Sequence, residues 1–340
     1  MIFGGLTCSR SIRLRPPSFI NDPHSPFDRS LTMLDALPAE IRLKIASYVD
    51  ILDIFTLLRV NRSWRKFVEK NAGILPKNHV SSLHLEQFHY TRFQFRIKTS
   101  EICDEKETKL TKYFFRTPNY LSVFLQMFRV KRSTYLRLID RIGLEEELAT
   151  AFRDAQVLSI RIDKGANNQN VSLINYLASL CETLPKLSSL IVEDASDNLN
   201  DDAHRMLTKL KTPRFIEARS AGSKSQLAIG DETLVHLGNS NVPLDCIVLS
   251  TRKSSFSLKA VRSFLENVKF DKHGLLELYY VNCTTTEFFN LLNELDIALE
   301  SDAIRGIFNS FPLILRGKSV CVNIKYFSDS AAYDRAPYFA

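Results

Sequence analysis

Three aspartates that lie close together are the first candidates for chemistry in this chain. Asp197, Asp201 and Asp202 fall within six positions, just ahead of a predicted helix. Paired carboxylates can serve as general acid and general base. Carboxylates at a helix N-terminus, however, more often cap its free N–H groups and complement the helix dipole. We therefore interpret these aspartates as helix-capping residues.

Histidines and cysteines do not form a pattern typical of a metal or nucleophilic site. His84 and His89 are five positions apart on predicted strand, so they face opposite sides. No cysteine pair has CxxC spacing, and the sequence has none of the glycine-rich phosphate loops, GxSxG or HExxH motifs. The cysteines are Cys8, Cys103, Cys181, Cys246, Cys283 and Cys321. We expect no enzyme activity, no cofactor, no metal, and reduced thiols in a cytoplasmic or nuclear protein.

The segment from Arg92 to Arg141 is rich in basic residues, with aromatic residues among them. This mixture is typical of single-stranded nucleic-acid binding, and the net charge of +7 permits an anionic partner. Acidic residues interrupt the segment, however, and its aromatic residues have the spacing of a core. We favour a solvated face and expect no nucleic-acid partner. The alternatives are an acidic protein steered by charge and a repeat scaffold that binds protein or RNA.

Length and composition allow two or three globular domains. The chain has 340 residues, of which 45% are hydrophobic and 24% are charged. No apolar run approaches the roughly 20 residues needed to cross a bilayer, so we expect no membrane partner. Residues 1–32 are rich in Pro, Ser and Arg without periodicity, which predicts a disordered leader. Residues 328–340 are predicted to be a tail.

Residues 33–72 carry the clearest helical pattern. Leu37, Ile41, Ile45 and Val49 recur every four positions, which predicts one face of a helix. Pro38 suits the first helical turn, where its missing N–H is not needed. Short helices beginning near residues 53 and 61 follow. A three-helix unit of this size, without disulfide or metal, buries little surface, which favours a docking partner.

The same residues resemble the F-box, the docking module of substrate receptors in cullin–RING ubiquitin ligases. The pattern is Leu37-Pro38-x-Glu40-Ile41, Ile45, Leu57-Leu58-Arg59-Val60 and Arg62-x-Trp64-Arg65, with Asn61 where many F-boxes carry Cys. The resemblance implies a subunit of an SCF-type ligase that docks on a Skp-type adaptor and presents an unidentified protein substrate. The adaptor-binding residues that it implies are Leu37, Pro38, Glu40, Ile41, Ile45, Leu57, Val60 and Trp64. The alternative is an ordinary helical subdomain in which Trp64 is core.

Residues 73–155 are predicted to form a mixed, mainly helical connecting region. Short strands are predicted at residues 82–85 and 93–97, a charged stretch at 99–116, and helices over 119–153. In the last part, apolar residues such as Leu121, Phe124, Leu125 and Phe128 have helical spacing.

Residues 156–327 show a rough repeat of strand and helix. Leu158, Leu190, Ile216, Ile247 and Leu278 mark successive strands, with steps of 32, 26, 31 and 31 residues. A last strand is predicted at residues 320–324, and Thr284 and Glu287 have capping-box spacing.

This near-constant period predicts a degenerate leucine-rich-repeat-like α/β solenoid, with an open α/β sheet as the alternative. The predicted fold class is thus α+β multidomain: F-box, helical linker and solenoid. An F-box before such a region resembles the nematode F-box families with divergent C-terminal domains.

Overall fold

The computed structural model describes most of the chain after residue 35. The described residues are 36–49, 53–54, 62–88, 95–103, 106–115, 118–139, 142–163, 171–195, 204–221, 225, 227–301, 304–305 and 309–326. They fall into two compact units. The first unit comprises Met1–Thr134 and Ile142–Asp154, and the second comprises Tyr135–Arg141 and Ala155–Ala340. The predicted leader and tail lie outside the described residues.

The first unit combines helices with an antiparallel sheet. Its helices are α1 (Ala39–Tyr48), α2 (Arg62–Asn71), α3 (Pro118–Gln126) and α4 (Glu145–Phe152). Its strands are β1 (Asn78–Gln87), β2 (Phe95–Cys103), β3 (Lys106–Phe115) and β4 (Phe128–Leu138), the last four residues of β4 being assigned to the second unit. β2 pairs antiparallel with β1 and with β3, and β4 lies on the other side of β1. Leu83 and Leu85 of β1 are completely buried and anchor this sheet in the core.

The prediction of a mainly helical region over residues 73–155 is wrong. Helices α3 and α4 are present, but β4 occupies the stretch between them and the β2–β3 hairpin occupies most of the charged stretch. In β4, Val130, Leu136 and Leu138 are completely buried and alternate with partly exposed residues, as expected for a strand with one face on a core. Apolar residues in this stretch also fit a three- and four-residue spacing. Pairing with distant strands, which the local sequence does not show, selects the extended form.

The second unit alternates strands and helices along the chain. Its strands are β5 (Val157–Ile162), β6 (Ser189–Asp194), β7 (Phe215–Ser220), β8 (Leu244–Ser250), β9 (Phe256–Ser257), β10 (Phe270–Asn282), β11 (Ala298–Leu299), β12 (Ile304–Arg305), β13 (Asn309–Leu315) and β14 (Lys318–Tyr326). Its helices are α5 (Val171–Thr183), α6 (His204–Leu207), α7 (Asp231–Gly238), α8 (Leu258–Asn267) and α9 (Thr285–Glu294). The predicted mixture of helices and strands is confirmed.

The main strands of the second unit are parallel and follow one another in chain order. β5, β6, β7, β8 and β10 each pair with the next, β14 pairs parallel with β10, and β13 pairs antiparallel with β14. Leu158, Leu190, Ile216 and Ile247, which marked successive predicted strands, are register partners. Ile247 pairs with Leu276 rather than with Leu278. The solenoid arrangement itself stays a prediction.

Each main strand of this sheet buries one face. Leu190, Val192, Ile216 and Ala218 are completely buried, and so is Phe311 of β13, whose ring lies 4.7 Å from that of Phe288 in α9. Right-handed crossovers that always step to the next strand place their helices on one face of a sheet. Consecutive helices α5 to α8 accordingly contact one another. The alternate residues point to the opposite face, which we call the open face, and most of them are half-buried.

The predicted capping box at the start of α9 is confirmed. The hydroxyl of Thr284 accepts a hydrogen bond from the Glu287 amide at 3.2 Å, and the Glu287 carboxylate accepts one from the Thr284 amide at 2.7 Å. These two bonds satisfy free N–H groups of the first turn. The hydrogen bonds from Thr284 also lower the pKa of Glu287, because they favour its ionised form.

Gly238, at the end of α7, allows close packing against α8. A Cβ added there would lie 3.0 Å from the Cα and 3.1 Å from the Cδ2 of Phe264. We expect Gly238→Ala to lower the free energy of unfolding of the second unit by about 1–3 kcal/mol, because the overpacked helices must move apart. Hydrogen exchange of peptides from α7 and α8 measures this loss of stability. Gly230→Ala is the matched control, since nothing lies within 4 Å of its added Cβ; equal protection in both variants would contradict the prediction.

Candidate functional site

Helix α1 begins at Ala39, directly after Pro38, which is its N-cap. The backbone of Pro38 is extended, with φ −54° and ψ 151°, and its carbonyl accepts hydrogen bonds from the amides of Ile41 and Arg42, both at 3.1 Å. Glu40 lies in the first turn, where a carboxylate complements the positive end of the helix dipole. Pro38 and Glu40 therefore favour a helix that starts at this point of the chain.

An apolar stripe runs along the outer side of α1. Ile41 is 45% exposed and Tyr48 is 82% exposed, while Leu37 and Ile45 are half-buried. At 3.6 residues per turn Ile41, Ile45 and Tyr48 fall within an arc of about 60°, and Leu37 lies just ahead of the helix. Ala46, the buried residue of this helix, lies on the opposite side. We call Leu37, Ile41, Ile45 and Tyr48 the α1 stripe; it leaves apolar surface open to a partner.

Helix α2 carries three buried apolar side chains. Trp64 and Val68 are completely buried and Phe67 is 9% exposed. The rings of Trp64 and Phe67 meet edge to face with centroids 5.7 Å apart. The guanidinium of Arg42 in α1 lies 4.8 Å from the centre of the Phe67 ring, a cation–π contact that ties the two helices together. Trp64 thus packs against the ring that α1 contacts.

Contacts at both ends of α2 tie it to the remainder of the first unit. Arg65 pairs with Glu69 at 3.0 Å, and its guanidinium lies 4.7 Å from the ring of Tyr120 in α3. The Lys77 ammonium donates to the carbonyls of Ala72 and Gly73, at 2.9 and 2.7 Å, just after the end of α2. A cation there complements the negative end of the helix dipole. Burial, and then the nearby charge of Arg129, lower the pKa of Lys77.

The predicted adaptor-binding residues are not all placed on one surface. Leu37, Pro38, Glu40, Ile41 and Ile45 lie along α1 and its start, Pro38, Glu40 and Ile41 being exposed. Leu57 and Val60 lie outside the described residues. Trp64 is completely buried, so the structure gives it a packing role, as in the alternative of an ordinary helical core.

Sequence reasoning missed Tyr48, the most exposed residue of the stripe. It follows Ile45 by three positions and Ile41 by seven, which is the spacing of one helix face. The same periodicity that identified Ile41 and Ile45 could therefore have identified Tyr48.

The other chemical candidates do not assemble into a site in the part of the chain that the structure describes. His84 is exposed on β1, whereas His89, Asp197, Asp201 and Asp202 lie outside the described residues. Among the described residues no group of side chains could hold a metal ion. None of the helices described is long and apolar enough to cross a membrane. β2 and β3 place Lys98 opposite Lys112, both from the basic segment.

The free cysteines of the second unit lack the features of reactive thiols. Burial raises the pKa of Cys181 to about 12, and mainly burial raises those of Cys246 and Cys283 to about 11. A thiol becomes a strong nucleophile when its pKa is lowered instead. These cysteines therefore behave as small apolar residues.

Comparison with known proteins gives one match. A family model described as F-box-like matches residues 34–72, the span that contains α1, α2 and the α1 stripe. No curated protein and no solved structure matches the chain. F-box domains typically bind Skp-type adaptors. The chain therefore carries an F-box-like domain at residues 34–72.

Proposed function

We propose that the protein is a substrate-recognition subunit of an SCF-type ubiquitin ligase. The observation that carries the proposal is an exposed apolar stripe on the first helix of an F-box-like domain. In this proposal the domain docks on a Skp-type adaptor and a protein substrate binds elsewhere on the chain. Such a subunit needs no catalytic residues, because holding a substrate near the charged ubiquitin raises the effective concentration of its lysines.

The α1 stripe is the centre of the proposed adaptor contact. Ile41 and Tyr48 have apolar surface to lose from water on docking, which is favourable by roughly 25 cal/mol per Å². Aromatic and aliphatic anchors of this kind supply most of the affinity of typical interfaces. The buried Trp64 acts indirectly, by packing against Phe67, the ring that Arg42 of α1 contacts, while Leu57 and Val60 belong to the proposed surface.

The rest of the proposal concerns the role of the second unit and the cellular compartment in which the protein works. Its parallel strands and helices would form the divergent leucine-rich-repeat-like domain that holds the substrate. Proteins of this class act in the cytoplasm or nucleus, which agrees with cysteines that are free in the described residues. We propose both features together with the ligase role.

A purified Skp-type adaptor tests the docking step. We expect the triple variant Ile41→Ala, Ile45→Ala, Tyr48→Ala to bind the adaptor about 100-fold more weakly than wild type, because loss of interface anchors costs about 2 kcal/mol or more. Isothermal titration calorimetry gives the affinities. Unchanged fluorescence of Trp64, the single tryptophan, verifies that the domain stays folded.

The matched control is Lys66→Ala, an exposed residue on the side of α2 away from the buried Trp64. It should bind the adaptor as wild type does. If the triple variant and the control bind with equal affinity, the α1 stripe is not the docking surface. If wild-type protein fails to bind the adaptor, the ligase proposal itself is wrong.

A further inference from the structure

Strand β3 forms one edge of the sheet in the part of the chain that the structure describes. It pairs antiparallel with β2 from Lys106 to Phe115, and no further described strand lies beyond it. In an antiparallel pair every second residue turns its N–H and C=O groups away from the partner strand. About five of the 10 residues of β3 therefore present both groups at the outer edge. An edge of this length is a template for a further strand.

Basic residues come together next to this edge, on one face of the sheet. The register places Lys98 of β2 directly between His84 of β1 and Lys112 of β3. His84 is exposed, so this row is open to solvent at β1. The neighbouring Arg96 differs, because Glu86 is its register partner. Lys98 thus has a basic residue directly opposite it on both sides, and a carboxylate on neither.

The position of Lys98 distinguishes binding of a partner from protection of the edge. Lysines on an edge strand discourage association with other chains, and Lys106, Lys109 and Lys112 of β3 fit that explanation. Lys98 does not, because it lies on the inner strand β2. Like charges directly opposite one another on neighbouring strands are destabilising. The Lys98–Lys112 pair therefore costs stability unless an anionic group lies beside it, and this points to an acidic partner.

The other face of β3 has an apolar character. Tyr113 is the register partner of Ile97, which is in turn the partner of the completely buried Leu85. Thr111 lies two positions before Tyr113, so it shares that face. A strand added at the edge would have Lys112 beside it on one face, and Thr111 with Tyr113 on the other. Because side chains alternate along a strand, the segment that fits best alternates acidic with apolar residues.

We propose that the outer edge of β3 binds an extended protein segment as an added β-strand, in which glutamate or aspartate alternates with apolar residues. Backbone hydrogen bonds supply the affinity, and Lys98 with Lys112 supplies the preference for acidic side chains. A protein segment fits better than RNA, because a polypeptide backbone matches a ladder of alternating N–H and C=O groups. The inference goes beyond the proposed function, since β3 lies outside residues 34–72 and needs no adaptor.

Short synthetic peptides that carry a fluorophore test the proposal on the full-length protein. The first peptide alternates Glu with Val over about seven residues, the length of an ordinary strand. Its counterparts have Gln or Lys in place of Glu. Fluorescence anisotropy measures binding at low and high salt. We expect the glutamate peptide to bind about tenfold more tightly than the glutamine peptide, and salt to reduce this preference. Equal affinities of these two peptides for the wild-type protein overturn the proposal.

Methylation of backbone nitrogens shows whether the peptide binds as a strand. One version of the glutamate peptide is N-methylated at its glutamates and another at its valines. The N–H groups of alternate residues point to opposite sides of a strand, so only one of the two sets faces β3. One version should therefore lose about tenfold in affinity or more, while the other keeps it. Equal affinities of the two versions contradict an added strand, and tighter binding of oligouridylate than of the glutamate peptide overturns the proposal in favour of RNA.

Reversing the charge of the two opposed lysines identifies the contact. The variant Lys98→Glu, Lys112→Glu should prefer the lysine peptide to the glutamate peptide, a gain that an unfolded protein does not give. Its matched control is Lys211→Glu, Lys253→Glu, which changes two exposed lysines of the second unit and should keep the preference for glutamate. A Lys98/Lys112 variant that still prefers the glutamate peptide overturns the proposal. These measurements contain no adaptor, so their failure is distinct from failure of the ligase role.

Discussion

Replacing Trp64 with alanine is expected to lower the free energy of unfolding of the first unit by about 3–5 kcal/mol. The side chain is completely buried and meets the ring of Phe67 edge to face. Its removal loses the transfer free energy of the indole and leaves a cavity beside Phe67, the ring that Arg42 of α1 contacts. Because α1 contacts α2 through this ring, adaptor affinity should fall as well, although Trp64 has no exposed surface.

Hydrogen exchange of peptides from α2 and β1 measures the Trp64 effect without relying on the lost tryptophan. Trp64→Phe keeps a ring and should cost less than the alanine variant, since the remaining cavity is smaller. Lys66→Ala, on the exposed side of the same helix, should leave exchange unchanged. Wild-type protection of α2 in Trp64→Ala would show that this side chain does not support the domain.

Replacing Asp194 with alanine is expected to destabilise the second unit by about 2–5 kcal/mol. Asp194 ends β6, is completely buried, and accepts hydrogen bonds from the hydroxyl of Ser225 and from the amide of Leu227, the latter at 3.4 Å. Ser225 is itself buried, so the variant leaves a donor without its acceptor inside the fold. The chain around Leu227 and Ile229, both buried, should lose its anchor ahead of α7.

Thermal unfolding followed by circular dichroism, with Trp64 fluorescence as a separate reporter, distinguishes the two units. In Asp194→Ala we expect an earlier loss of secondary structure while the fluorescence transition of the first unit stays where it is. Asp194→Asn keeps one oxygen acceptor and should be milder. Coincident unfolding curves for Asp194→Ala and wild type would contradict the assigned role.

The main parallel strands of the second unit were predictable because each is a short apolar segment, and the first five precede a helical pattern. β4 was not, since Phe128, Val130, Leu136 and Leu138 lie in a stretch whose apolar spacing fits a helix as well as a strand. Its extended form depends on pairing with strands far away in sequence, and the local spacing of apolar residues does not reveal that pairing. The strand predicted at residues 93–97 overlaps the start of β2, but the rest of β2 and all of β3 were missed, because their charged residues carry little apolar alternation.

The candidate site, like the fold, was predictable from the sequence only in part. Helical spacing alone placed Ile41 and Ile45 on one face of a helix. It could not tell an outward face from an inward one. Trp64 was grouped with the adaptor-binding residues by the F-box resemblance, and its burial follows only from the packed structure. The placement of Glu217 and Glu277 on either side of Val248 was beyond prediction, since it requires the register of three strands.

The position of β14 has a consequence for synthesis of the protein. Strands β5 to β8 and then β10 can pair one after another as the chain leaves the ribosome, because each main strand joins the one made before it. β14, made last among the described strands, fits between β10 and β13. Until Lys318–Tyr326 emerges, β10 offers an unpaired edge that can recruit other chains. Products shortened before Lys318 should therefore aggregate, so nascent chains depend on completing this strand promptly.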